Sequence, residues 1–138
     1  MATGTLGTQA KDYPAREQKI SVNLTTANIA LLAAGSSFKA GTLPAGSGIL
    51  RGYLVNSATA FNAGTTNSIS IGTASGGAQV VASTAMGAAS ATTVLTIVAG
   101  LGQLAADTPI WVNGIFTGAA PTAGQSLLVL EYSVPGST

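Results

Sequence analysis

The segment SLLVLEYSV, residues 126–134, decides the fold class of this 138-residue chain. Its side chains alternate between two sets with a period of two. One set is Leu128, Leu130, Tyr132 and Val134, and the other is Leu127, Val129, Glu131 and Ser133. Strict alternation of this kind is typical of a β-strand rather than a helix.

Similar aliphatic segments recur upstream at short intervals, separated by Gly, Pro, Ser and Asn. In the segment at 49–55 we expect Leu50 and Leu54 to flank Gly52 on one face. The predicted strands cover residues 20–24, 38–43, 49–55, 68–71, 79–83, 93–99, 110–116 and 126–134. About eight short strands divided by turn residues predict an all-β fold, a single-domain β-sandwich of the jelly-roll type.

The N-terminal residues and one internal segment depart from the strand pattern. Residues 1–17 lack alternation and carry most of the charge, so we expect an extended N-terminal arm, with the sandwich at 18–138. Residues 25–35 are rich in Ala and Leu and end at Gly35, which suits a short helix of about two turns.

The chemistry available to the chain is narrow. It has no His and no Cys, and after Arg51 its only charged residues are Asp107 and Glu131. Most catalytic and metal sites are built from His, Cys, Lys, Asp or Glu, which are absent or scattered in this chain. We therefore expect no enzyme activity, no metal and no cofactor. Charged residues make up 7% of the chain, against about a quarter in ordinary domains. Repulsion between like charges is what keeps protein surfaces apart, and this chain has few charges. We therefore expect other subunits to cover much of its surface.

Three local patterns have a chemical interpretation that we consider weaker than the structural one. Residues 36–39 match the S-x-x-K pattern of penicillin-binding serine enzymes, but the companion motifs of those enzymes are missing. Residues 72–77 are Gly-rich after a strand, yet neither a Lys nor a helix follows, as a phosphate site requires. Asp107 and Glu131 are two lone carboxylates, better explained as a turn residue and a strand-surface residue than as a glycosidase pair.

Nucleic acid and membranes are not expected partners. The net charge is +1 and the basic residues are interleaved with acidic ones, so no cationic patch is indicated. Residues 85–106 are uncharged over about the length of a membrane span, but Gly and Thr interrupt them and favour strands. The first 30 residues lack the apolar core of a secretory signal.

Three segments resemble those of small decoration, or cementing, proteins of tailed-bacteriophage heads. They are LPAGSGILRGY at 43–53, SISIGT at 68–73, and IWVN at 110–113 leading to LVLEY at 128–132. The resemblance covers residues 20–134. It implies a jelly-roll sandwich on the outer surface of the capsid, made in the host cytoplasm, that clamps neighbouring major capsid protein subunits without catalysis.

We therefore expect a virion structural protein that cements the capsid against internal DNA pressure. A homo-oligomer is expected, a dimer rather than a trimer, although one sequence carries no unambiguous mark of either symmetry. The residues predicted to contact the capsid through the arm are Lys11, Tyr13, Arg16 and Lys19. The alternative is a head or tail fibre module that binds a host receptor or glycan, with the loop at 61–67 as its candidate site. A small hydrolase is the third hypothesis.

Overall fold

The computed structural model describes residues 17–28, 37–62, 64–119 and 121–134. Within these ranges the chain forms eight strands: β1 (Glu17–Thr25), β2 (Ser37–Leu43), β3 (Gly48–Asn56), β4 (Thr66–Gly72), β5 (Val81–Ala85), β6 (Thr92–Leu95), β7 (Thr108–Thr117) and β8 (Gln125–Ser133). The predicted all-β class is confirmed. Residues 26–28 are helical, and the rest of the predicted helix, from residue 29 onward, lies outside the described residues.

The strands form two four-stranded antiparallel sheets, with the orders β1-β8-β3-β6 and β2-β7-β4-β5. The first strand pairs with the last, the second with the seventh, the third with the sixth and the fourth with the fifth. The chain is therefore one long antiparallel hairpin, folded so that β1, β3, β6 and β8 form one sheet and β2, β4, β5 and β7 form the other. An eight-stranded sandwich wound in this way is a jelly roll, as the sequence predicted.

The core lies between the two sheets and is made of the inward side chains of both. Leu54, Leu128 and Leu130 come from one sheet and Ile71 and Val112 from the other, and all are at most 2% exposed. Gly52 faces this core where a Cβ would lie 3.2 Å from Leu130 Cδ1. Leu128 and Leu130 thus share a face of β8, as the period-two pattern of the sequence predicted.

One strand departs from strict alternation. The register of β3 against β8 shifts between Ile49 and Arg51, so Leu50 and Arg51 both face solvent. The prediction that Leu50 shares the buried face of Leu54 is wrong, because a bulge adds one residue to the strand and turns the side chain outward.

The predicted strand at 93–99 is shorter in the structure. The strand β6 ends at Leu95, and Ile97 then forms an isolated bridge with Val81 of the other sheet. Leu95 faces the core whereas Val94 is 76% exposed, so this apolar run is covered on one face alone within the described residues. Val94 therefore lies on the outer surface of the sandwich.

A buried amide joins three segments at one end of the core. The side chain of Asn56 donates from Nδ2 to the carbonyls of Met86 and Ala88, at 2.6 and 2.7 Å. Its Oδ1 accepts from Ser126 Oγ at 2.6 Å. Asn56 therefore ties β3 to β8 and to the loop after β5, in the way buried polar groups are normally satisfied.

Candidate interaction surface

The outer face of the β1-β8-β3-β6 sheet carries the most exposed apolar residues of the sandwich. Cross-strand register places Tyr53 beside Val129 and Val94, and Val55 beside Leu127. Val55, Leu127 and Val94 are 39%, 37% and 76% exposed, whereas Val129, which lies between them, is 5% exposed. We call these five residues the apolar block. Large aliphatic side chains clustered on a solvent-facing sheet mark a surface suited to contact with another protein.

A row of charged residues borders the apolar block at one end. Register sets Lys19, Glu131 and Arg51 side by side on β1, β8 and β3. The Arg51 Nε donates to Glu131 Oε2, Lys19 Nζ lies 3.6 Å from Glu131 Oε1, and the Tyr53 hydroxyl donates to the same oxygen at 3.3 Å. The row binds three strands together and presents two cation side chains to solvent.

Glu131 is only 5% exposed, so it differs from the plain strand-surface residue predicted from the sequence. The hydrogen bond from Arg51, more than the neighbouring positive charges, lowers the pKa of Glu131 below its ordinary value. The same hydrogen bond raises the pKa of Arg51. Such a carboxylate stays ionised at neutral pH and serves as an ion-pair partner rather than as a proton donor.

An open pocket of about 260 Å³ lies at the other end of the apolar block. Asn23 and Gln125 line it on the outer face, with Val55 and Leu127 as its apolar wall. The face thus runs from a charged row, through aliphatic side chains, to an amide-lined edge.

The outer face of the second sheet is different, because a loop covers its polar side chains. Asn113 of β7 accepts from the Gly76 N–H at 2.8 Å and donates to the Gly77 carbonyl. The Gly76 N–H is also 3.1 Å from Ser37 Oγ. In the Gly-rich segment at 72–77 the Gly76 N–H is therefore bonded within the protein, so it is not presented to a phosphate.

The other sequence motifs also have structural explanations. Ser37 and Lys39 lie in β2, a strand and not the helix start that an S-x-x-K nucleophile needs, and residue 36 lies outside the described residues. Asp107 precedes β7 and its Oδ1 accepts from the Ala45 N–H at 2.9 Å, which braces the turn before β3. In the part of the chain described, no three acidic side chains come together as a metal site would require.

The aromatic residue of the loop at 61–67, the candidate glycan site, is buried. Phe61 is 8% exposed and belongs to the core, so it offers no solvent-facing ring. Asn62 beside it is fastened to the 122–123 loop, since its Oδ1 accepts from the N–H groups of Thr122 and Ala123.

Of the four residues predicted to contact the capsid, only Lys19 lies in the described ranges. It belongs to β1, where its side chain is 59% exposed beside Glu131. Lys11, Tyr13 and Arg16 lie outside the described residues, as does the predicted arm apart from Glu17, the first residue of β1. The apolar block was not singled out from the sequence, although the alternation of β8 contained the signal for Leu127 and Val129.

Among the helices of the described residues, none has the length and apolar character needed to cross a membrane. The sequence matches no known protein family and no curated protein.

The fold, in contrast, has solved counterparts. A chain from the capsid of Ralstonia phage GP4 superposes with a TM-score of 0.59 at 17% sequence identity, covering 92% of this chain and 89% of that one. A chain from the cyanophage Pam1 capsid asymmetric unit gives a TM-score of 0.54 at 19% identity, covering 86% and 84%. The protein therefore shares its jelly-roll fold, over nearly its whole length, with chains of two phage capsids.

Proposed function

We propose that this chain is a non-enzymatic structural protein of a phage virion. In this proposal it is made in the host cytoplasm, binds the outside of the capsid shell, and cements neighbouring major capsid protein subunits against the pressure of packaged DNA. The observation that carries the proposal is the likeness to chains of two phage capsids over most of both partners. No cofactor is needed for this role.

The outer face of the β1-β8-β3-β6 sheet supports the proposal. Removing apolar area from water contributes about 25 cal/mol of favourable free energy for each Å². The apolar block presents such area on the folded sheet. The charged row beside it holds Lys19 and Arg51 at the surface, both more than half exposed. Apolar attraction supplies affinity here, and the flanking cations orient the contact.

The homo-oligomer and the N-terminal arm belong to the same proposal. We infer a dimer rather than a trimer, with the predicted arm N-terminal to β1, residues 1–16, reaching to the shell. Lys11, Tyr13, Arg16 and Lys19 are the proposed contacts. Lys19 belongs to β1, so it would act from the sheet surface.

The test is co-sedimentation of the purified protein with phage heads stripped of it. We expect saturation at a fixed ratio to capsid subunits, and DNA release at a higher temperature once the protein is bound. Failure to saturate, with the protein folded, would refute capsid binding, and retention on host polysaccharide would then favour the fibre module.

Two matched variants test which face binds. Leu127 and Ile115 are 37% and 38% exposed on the outer faces of opposite sheets. We expect Leu127→Asp to weaken capsid binding about tenfold or more, since it places a charge in an apolar contact, while Ile115→Asp leaves binding unchanged. The reverse order would show that the other face binds the shell.

A further inference from the structure

The four outermost strands of the sandwich differ sharply in how well they could accept another strand. The two sheets end in β1 and β6, and in β2 and β5. The strand β6 has four residues, and register shifts interrupt the ladders of β2 and β5. Shortness and bulges are the usual protections of an edge against pairing with another chain. The nine-residue β1 has neither, because its register with β8 is continuous from Glu17 to Thr25.

The backbone groups of β1 that point away from β8 can be identified. The Ser57 N–H donates to the Gln125 carbonyl, so odd-numbered residues of β8 point toward β3 and even-numbered ones toward β1. Register then makes the even residues of β1 bond to β8. Its odd residues direct their N–H and C=O groups to the other side, the free edge, where no strand of the described residues lies. The Asn23 carbonyl fits this assignment, since it accepts from Asn28 Nδ2 away from β8. A strand that pairs along the whole of β1 would therefore take the place of the Asn28 amide at this carbonyl.

The side chains of β1 also indicate an uncompleted edge. Ile20 and Val22 face the core, yet they are only partly buried, whereas Leu24 on the same face is fully buried. A further strand beside β1 would cover the outer sides of Ile20 and Val22.

We propose that the free edge of β1 pairs with β1 of a second copy of this chain, antiparallel about a two-fold axis at Ser21. This inference specifies the homo-oligomer of the proposed function, but it does not depend on capsid binding. The register that centres on Ser21 is the one that pairs all nine residues of β1, from Glu17 with Thr25 onward. It sets Ile20 opposite Val22 on the core side, so apolar residues meet apolar residues.

Charge supports a second copy as the partner in this register. Lys19 lies opposite the partner's Asn23, and Glu17 opposite the partner's Thr25, so no like charges meet. Sliding the pair until Lys19 opposes its own copy would place like charges directly opposite, which destabilises a sheet. An isologous pair of this kind is self-complementary, as a two-fold interface must be.

The dimer has a functional consequence. Strands paired in one sheet keep their outward side chains on the same side. The two-fold axis therefore runs perpendicular to an eight-stranded sheet, and the apolar blocks of both copies face the same way. Two blocks on one surface can bind a repetitive shell at two points at once, which raises avidity without new contacts.

The test is sedimentation velocity of the full chain without capsids, over a range of protein concentrations. We expect the wild-type protein to dimerise and Ser21→Lys to raise the dissociation constant about tenfold, because two ammonium groups then meet at the axis. High salt should restore much of the Ser21→Lys dimer by screening. The matched control is Thr92→Lys, which places the same charge on the exposed opposite edge strand β6 and should change nothing.

Two further variants make the result specific. Ser21→Pro removes an N–H that points to the free edge, and it leaves every hydrogen bond between β1 and β8 in place. It should therefore abolish the dimer at any salt concentration, while the circular dichroism spectrum stays that of the folded monomer. Mixing Ser21→Lys with Ser21→Glu should restore a dimer that neither forms well alone. A wild-type protein that stays monomeric, or a dimer that Ser21→Lys and Ser21→Pro leave unchanged, would overturn the proposal. Because capsids are absent, either result is independent of the co-sedimentation experiment.

Discussion

Replacing Asn56 with Ala should be among the most destabilising polar substitutions in this protein. The side chain makes three hydrogen bonds and is 7% exposed. Without it the carbonyl of Met86, a residue that is 1% exposed, loses its partner in a place that water reaches poorly. Ser126 is less affected, since its hydroxyl also lies 3.3 Å from the Val55 carbonyl.

The magnitude follows from these contacts. An orphaned buried carbonyl costs about 1–3 kcal/mol, and each of the other two bonds contributes about 1 kcal/mol net, so we expect a loss of about 3–5 kcal/mol in the free energy of unfolding. The assay is urea unfolding followed by Trp fluorescence, in which the midpoint should fall while the slope stays constant.

Asn62 provides the matched control. It also makes three side-chain hydrogen bonds, to the N–H groups of Thr122 and Ala123 and to the Thr122 hydroxyl, but it is exposed. Water can replace all three, so Asn62→Ala should cost about 1 kcal/mol or less. If Asn56→Ala costs no more than Asn62→Ala, the argument from burial is wrong.

A charge at the same position gives a second check. The variant Asn56→Asp keeps the size of the side chain but, when ionised, aims a carboxylate at two carbonyl oxygens. Burial and this repulsion raise the pKa of such an Asp, so the variant should be least stable at neutral pH and recover as the pH falls toward about 4. A pH-independent loss would contradict this assignment of the contacts.

Three further predictions concern other parts of the molecule. Deleting residues 1–16 should leave the melting temperature unchanged and weaken capsid attachment in the co-sedimentation assay; an unfolded product, or full-strength binding, would contradict the arm proposal. The folded-state pKa of Glu131 is lowered below 4.5, so its ion pairs stabilise the protein above that pH and are lost as the pH falls through the lowered value. The difference in unfolding free energy between the wild type and Glu131→Gln, measured in urea titrations, should therefore shrink below about pH 4.5. Gly72→Ala should cost about 1–3 kcal/mol in thermal unfolding, because its Cβ would lie 2.5 Å from the Gly77 carbonyl carbon, whereas Gly102→Ala, with no atom within 4 Å, should be neutral.

The amino-acid sequence by itself determined the fold class and the number of strands. Alternation in β8 and in the segment at 68–71 required strands, and the intervening Gly, Pro and Asn residues required turns, because these are local properties of the backbone and of side-chain spacing. The absence of His and Cys and the scarcity of charged residues likewise limited the available chemistry, since composition is the same whatever fold the chain adopts. The resemblance to phage head proteins led to the same jelly-roll expectation that the strand order then confirmed.

Other features depended on which strands became neighbours, and local sequence does not encode that. The bulge that turns Leu50 outward exists only because β3 must match β8 on one side. Glu131 became a buried ion-pair partner because β1 and β3 place Lys19 and Arg51 on either side of it. The position of β1 at the edge of the described sheet follows from the strand order alone. Local spacing sets what each segment can form, and long-range pairing sets what each side chain meets, so the candidate surface emerged only with the tertiary structure.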